Sequence, residues 1–332
     1  MLSRVAENIY WMARYLERVE GSARLVIATN QTMLDIAPIS HVRPLNWFQL
    51  IAITGSRECY AQHHAAIDEA NVVRFLIADT ANPSSILSSL RLARENMRST
   101  REVFPREAWE SLNGFTMRTQ ELLHKEVPAA ERHEFLEGII NACLKLTGLL
   151  DSTMCRDEAF HTFRLGRYLE RADMTTRILD VRGAGMLESW ERMELPLRNA
   201  VWLTVLRSLS GDQMYRRRVE PRIRGPEVLA FLLKDRLFPR TFRYCIEGVG
   251  GSLKKLHRDS GAQQVIKAIE EDLYLADVKG LAEGGKLHEF LDKLQIHLGH
   301  LHEKIGTIYF NPPPSRREVA HAHDQSQFLV QT

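Results

Sequence analysis

Cysteine is scarce and unpatterned in this chain. Cys59, Cys143, Cys155 and Cys245 include no CxxC pair and show no regular spacing, which argues against a disulfide scaffold and for free thiols in a reducing compartment. Long apolar runs are missing too. Nowhere do about 18 uncharged apolar residues follow one another, so no membrane span is expected. The opening MLSRVAENIYWMAR carries Arg4, Glu7 and Arg14 through the stretch where a secretion signal needs an unbroken apolar core. The expected location is the cytoplasm. Charge of one sign is lacking as well: the formal net charge is +2 with 26% charged residues, so no global field advertises nucleic acid or a membrane. Any anion recognition must come from local patches. Strand signals are almost absent, because short β-branched stretches such as NVVRFLIAD lie between helical neighbours without hairpin dipeptides.

Catalytic and cofactor motifs are equally sparse. Neither GxxxxGK[ST] nor GxGxxG occurs, and the glycine clusters at Gly248, Gly250, Gly251 and at Gly284, Gly285 read as loops between helices. HExxH is missing, and His297, His300 and His302 spread around a helix rather than converging. Cys59 and His63 stand one helical turn apart, but no oxyanion donor or third group completes a nucleophilic site. Glu270 and Glu271 occupy diverging positions and read as solvated charge. No cofactor, no metal and no catalytic residue is expected, and the chain leans towards a non-enzyme.

What is present is helix. The chain has 332 residues, 44% of them apolar, enough for one large core or two smaller ones. Val5, Ile9, Met12, Leu16, Val19, Ala23 and Ile27 fall on one stripe at 100° per residue, which predicts a long helix over 2–36. Pro38 and Pro44 end it, and Pro44 opens a helix from Leu45 to about Thr54. Asn82-Pro83, Pro105 and Pro128 announce further helices over SSILSSLRLARENMRSTREV, REAWESLNGFTMRTQELLHKE and AAERHEFLEGIINACLKLTGLL. The predicted class is all-α.

The sequence also repeats itself. RYLERVEGSAR (14–24) matches RYLERADMTTR (167–177), so that Arg14, Glu17, Arg18 and Arg24 recur as Arg167, Glu170, Arg171 and Arg177. Trp47 and Tyr60 answer to Trp202 and Tyr215, FLIADTANPSSI (75–86) to FLLKDRLFPRTF (231–242), and the segment from His133 to that from His288. These blocks predict two tandem, pseudo-symmetric helical bundles of about 155 residues, 1–158 and 159–311. A Pro-led tail over 312–332 is read as disordered or as a docking strand.

Arg14, Glu17, Arg18 and Arg24 sit opposite the apolar stripe, with Tyr10, Trp11 and Gly21 interleaved, and Arg164, Arg167, Glu170, Arg171 and Arg177 do likewise. A solvated face would pair Arg14 with Glu17 along the helix. It would have no use for the like-charged i,i+4 pair Arg14/Arg18, which recurs as Arg167/Arg171 and destabilises an isolated helix by roughly 0.2–0.5 kcal/mol. Two covered arrangements stand beside it: a buried seam in which the copies interlock their Arg–Glu pairs, and a pocket whose arginines clamp a carboxylate or phosphate. A separate basic run, YRRRVEPRIRGPE, holds Arg216, Arg217, Arg218, Arg222 and Arg224 without counterpart in the first copy. It reads either as a solvated loop or as a grip on an acidic partner or peptide tail; the aromatic interleaving of a nucleic-acid site is absent.

At these residues the chain resembles the bacterial alpha-E domain, named for its helices and for the Glu-Arg signature carried here by Glu17-Arg18 and Glu170-Arg171. LSRVAENIYWMARYLERVE and FRLGRYLERADMTTRILDVR resemble that family's two characteristic segments, and the resemblance covers about 1–311. Members are typically encoded beside, or fused to, a circularly permuted ATP-grasp protein and a transglutaminase-like protease. The resemblance therefore implies a non-catalytic accessory of an ATP-dependent amide ligase that makes or modifies peptides, with that ligase or its peptide substrate as partner. The rival expectation is an enzyme or ligand binder using the duplicated Arg/Glu pocket.

Overall fold

One helix organises the chain. α1 (Ser3–Ile36) runs for 34 residues, and between Ile9 and Thr29 nearly every side chain on it is buried or half-buried. Its apolar stripe of Ile9, Met12, Leu16, Val19 and Ala23 is covered as expected of an amphipathic helix, but Arg14, Glu17 and Glu20 on the other sides are covered too. Such a helix can only be central. The computed structural model describes residues 1–36, 46–124, 127–184, 194–256, 261–283 and 286–311, and every regular element among them is helical.

After α1 come α2 (Phe48–Ile53), α3 (Arg57–His63), α4 (Glu69–Ile77), α5 (Ile86–Arg98), α6 (Arg106–Leu123), α7 (Arg132–Thr153) and α8 (Glu158–Ile178). The remainder is α9 (Leu195–Ser208), α10 (Asp212–Arg218), α11 (Gly225–Lys234), α12 (Phe242–Lys255), α13 (Ala262–Leu275), α14 (Val278–Glu283) and α15 (Leu287–Ile305). π-helical turns over Leu179–Ala184 and Gly306–Phe310 extend α8 and α15. Side chains set several starts: Asp68, Ser85, Asp157 and Thr241 each accept from backbone N–H groups of the first turn, while Pro196 and Pro226 open α9 and α11.

α1 packs against α8, α5, α7 and α9, and α8 is held from its other sides by α12 and α15. Buried apolar residues from Ala6 to Phe310 form one contiguous core, with a small satellite of Ile36, Leu197 and Val201. No helix among the described residues is long and apolar enough to cross a membrane.

Three expectations need correction. The helix expected from Leu45 begins at Phe48, after Asn46 has accepted a bond from the Gln49 amide at 3.1 Å; Pro38 and Pro44 lie outside the described residues. The helix after Pro83 stops at Arg98, capped by Ser99, whose backbone N–H bonds to the Glu95 carbonyl, and a short 3-10 turn follows over Arg101–Val103. Gly248, Gly250 and Gly251 are not a loop but the middle of α12. Gly248 is there for clearance: a Cβ would stand 2.7 Å from the Tyr168 ring on α8. Gly284 and Gly285, like the tail over 312–332, lie outside the described residues.

Candidate functional site

The Arg/Glu segments of α1 and α8 face each other. Arg14 Nε donates to Glu170 Oε2 at 2.6 Å and Arg18 Nε to Glu170 Oε1 at 2.6 Å. In return, Arg171 donates through Nε and Nη2 to Glu17 at 2.7 and 2.8 Å, and Arg167 Nε reaches Glu17 at 3.3 Å. Partners on the two helices are separated by 156, 152, 150 and 154 residues, and Arg182 with Thr29 by 153. A constant difference means that the helices run parallel. Each carboxylate is gripped by the two arginines that stand three residues before and one residue after its counterpart in the other helix, so the bonds are reciprocal. Arg14 does not pair with Glu17 along its own helix.

Close approach makes this possible. Gly166 on α8 lies against the Tyr10 carbonyl and the Ala13 methyl of α1, where any added Cβ would collide with backbone. The guanidinium groups are roofed by rings: Arg14 lies 5.3 Å from the centroid of Trp11 and Arg18 lies 5.6 Å from that of Tyr15. Tyr10, fully buried, donates or accepts at His302 Nδ1 of α15 at 2.8 Å and takes a bond from Arg14 at 3.3 Å. Burial pushes the Tyr10 hydroxyl up to about 12.

Two further side chains belong to the network without having been signalled by the Glu-Arg segments. Arg240, in the turn before α12, reaches Glu17 Oε1 at 3.1 Å and makes a short ion pair with Glu20, whose other partner is Arg24 at 2.8 Å. α8 pins that turn, since Arg171 donates to the Pro239 carbonyl and Thr175 to that of Arg240. In the matching segment FLIADTANPSSI, Ser84 stands where FLLKDRLFPRTF has Arg240, so the signal lay in a mismatch between the two segments. Six guanidinium groups, from Arg14, Arg18, Arg24, Arg167, Arg171 and Arg240, thus share Glu17, Glu20 and Glu170.

The electrostatics follow from this sharing. Burial raises the pKa of the Glu170 carboxyl, but Arg14 and Arg18 outweigh it and hold the group down to about 2. Glu17 is likewise held well below the carboxylate range, burial being overcome by Arg171, Arg240 and Arg167. Arg14 and Arg171 are driven up against their own burial by Glu170 and Glu17. Arg240 goes the other way, pulled down by burial and by the neighbouring Arg171. Arg24 and Arg177 lie at the rim, each with a carboxylate four residues earlier on its own helix, Glu20 and Asp173, at 2.7 and 2.9 Å.

Further along the same pair of helices the logic changes. Arg182 is completely buried, yet among the described residues its bonds go only to the hydroxyls of Ser208, at 3.2 Å, and Thr29, and its Nε–H finds no acceptor. Among the described residues no carboxylate reaches it, and burial alone pulls it down to about 9.

The basic run is divided. Arg218 pairs with Asp235 at 2.9 Å and Arg217 is exposed, whereas Arg216, Arg222 and Arg224 line a cavity of about 920 Å³ between α9, α10 and α11. The histidines do not converge: His297 contacts Asp272 at 3.0 Å and His302 contacts Tyr10. Among the described residues no group of three or more His, Cys, Asp or Glu side chains is placed to hold a metal. His63 bonds to the backbone carbonyl of Cys59, not to its thiol, and Cys59 to that of Ala81, so the two form no nucleophile–base pair. The four cysteines are free thiols.

A family model, Alpha-E, described as a predicted alpha-helical domain with a conserved ER motif, matches residues 1–310. Uncharacterized proteins of Mycobacterium bovis and Mycobacterium tuberculosis are 23% identical over 291 residues, which is 81% of this chain and 31% of each of theirs. The chain thus spans about a third of the length of the curated relatives it matches. No solved structure matches it.

Proposed function

The chain belongs to the Alpha-E family, and from that premise we propose that it is a non-catalytic helical accessory of a cytoplasmic ATP-grasp amide-ligase system. The observation that carries this reading is the 31% coverage of its relatives: the same helical unit is one segment of a much longer chain there, and such a unit works beside the rest of that chain. The genomic association that the family resemblance implies supplies the identity of the partner. The Arg/Glu helices favour a structural over a catalytic role, since their carboxylates are already saturated by guanidinium groups and are held ionised, unfit to exchange protons near neutral pH. We read the reciprocal bonds as the trace of tandem duplication, with the seam joining the two copies.

Affinity purification of the tagged chain from its native host at low salt tests this. Recovery of an ATP-grasp protein, identified by mass spectrometry, in stoichiometric amount is the expected outcome, together with a changed rate of ATP hydrolysis when the two are mixed. A preparation that retains no such protein overturns the reading.

A further inference from the structure

We propose that His302 is a pH-sensitive latch, whose protonation favours release of the end of α15 and of the π turn over Gly306–Phe310 from α1, and so uncovers Tyr10. The latch is a chain of three groups. Arg14 donates to the Tyr10 hydroxyl at 3.3 Å, and that hydroxyl lies 2.8 Å from His302 Nδ1. Tyr10 is completely buried, so its single hydroxyl proton needs an acceptor inside the protein. Nδ1 can serve only while it keeps a lone pair, which makes the closed ring neutral with its proton on Nε2. The ring is half-buried, stacked on Tyr10 with centroids 5.6 Å apart and set edge-on to Trp11 at 5.3 Å, while Phe310 from the π turn covers Tyr10 at 5.2 Å.

A second proton on the ring breaks this chain in two ways. Nδ1 becomes a donor, so the Tyr10 hydroxyl faces two donors, Arg14 and His302, and its own proton loses its acceptor. The ring also becomes a cation beside the Arg14 guanidinium. Burial and then Arg14 of α1 pull the His302 pKa down, against Glu303 on α15 itself and Glu170 on α8. Glu170 is already shared by Arg14 and Arg18, and Asp173 of α8 acts on Tyr10 and Arg14. Asp272 of α13 is engaged by Lys293 and His297, more than a turn before His302. The start of α15 behaves oppositely: His288 bonds at 2.6 Å to Asp180 of the π turn after α8, which holds its pKa up, so protonation there tightens the contact. Opening is therefore confined to the C-terminal end of the helix. Because the closed pKa lies below the ordinary imidazole value of 6.5, the latch is at full strength above that pH and weakens as pH falls from 6.5 towards the closed value. This device does not depend on the ligase partnership.

Hydrogen exchange of the full chain, corrected for the intrinsic dependence of exchange on pH, is the test. Between about pH 7.5 and about pH 5 the protection of 303–310 in the wild type is expected to fall about three-fold to about 30-fold, the ceiling being set by a free imidazole in the open form. His302→Gln keeps an acceptor for the Tyr10 hydroxyl but does not titrate in this range, so its protection should stay flat. His300→Gln, at an exposed position on the same helix, should track the wild type. Imidazole resonances of the wild type supply a second reading that needs no variant: His302 should titrate below 6.5, and protection should stop falling once that titration is passed. If His302→Gln is open at both pH values, this wild-type correspondence alone decides. Protection that does not fall in the wild type, a fall that persists in His302→Gln, or a His302 ring that titrates at or above 6.5 overturns the proposal.

Discussion

Arg182 and Glu170 are both buried charges near the same helix, and their surroundings give them opposite consequences. Glu170 is ionised because two guanidinium groups outweigh its desolvation, so removing the carboxylate strands two cations. Glu170→Ala is expected to cost about 3–5 kcal/mol, the usual scale for breaking a buried pair, as read from urea midpoints at pH 7. Because the folded pKa, about 2, lies below the ordinary carboxyl value of 4.5, this group stabilises the fold fully above pH 4.5 and loses that contribution as pH falls towards 2. The loss amounts to about 3 kcal/mol, and Glu170→Gln should flatten that part of a stability-versus-pH curve. Among the described residues Arg182 has no carboxylate to offset its burial. Arg182→Met is expected to raise stability by about 1–3 kcal/mol, seen as a higher melting temperature; a lower one would show that the Thr29 and Ser208 hydroxyls offset its desolvation. The sequence exposed the eight Arg/Glu residues through their repetition but not their partners, because a bond between residues 150 or more positions apart is decided by packing. Arg182 belongs to no matched segment and carried no pattern to read, and Arg240 left only its mismatch with Ser84.

Helices were legible where local chemistry marks them. Prolines placed the starts of α5, α6 and α7 to within a few residues, and one long apolar stripe delimited α1. The glycines of α12 misled, since a glycine needed for clearance looks like a glycine needed for a turn until the facing ring is known. Gly166 and Gly248 are such clearance positions and Gly251, with nothing within 4 Å of an added Cβ, is not. Gly166→Ala and Gly248→Ala are each expected to lose about 1–3 kcal/mol, whereas Gly251→Ala should gain up to about 1 kcal/mol from its higher helix propensity. Paired thermal melts of the three variants separate the two classes.

At the scale of the molecule, one core runs from Ala6 to Phe310 and the charged seam crosses its middle. The sequence left open whether the halves own separate cores; they share one because α1 and α8 are each other's principal neighbours. Neither 1–157 nor 158–311 alone should therefore melt cooperatively, while the two fragments expressed together should restore a single transition with coincident circular-dichroism and tryptophan-fluorescence midpoints.

Tyr10 on the first helix is closed over by His302 and by Phe310, whose ring centroid stands 5.2 Å from its own. During synthesis, then, α1 leaves the ribosome long before the segment that closes over it, and it must wait with an apolar stripe and ionised groups uncovered while some 300 residues are added. Its arginines and glutamates keep that waiting helix soluble in water before they become the pegs on which the second half is hung.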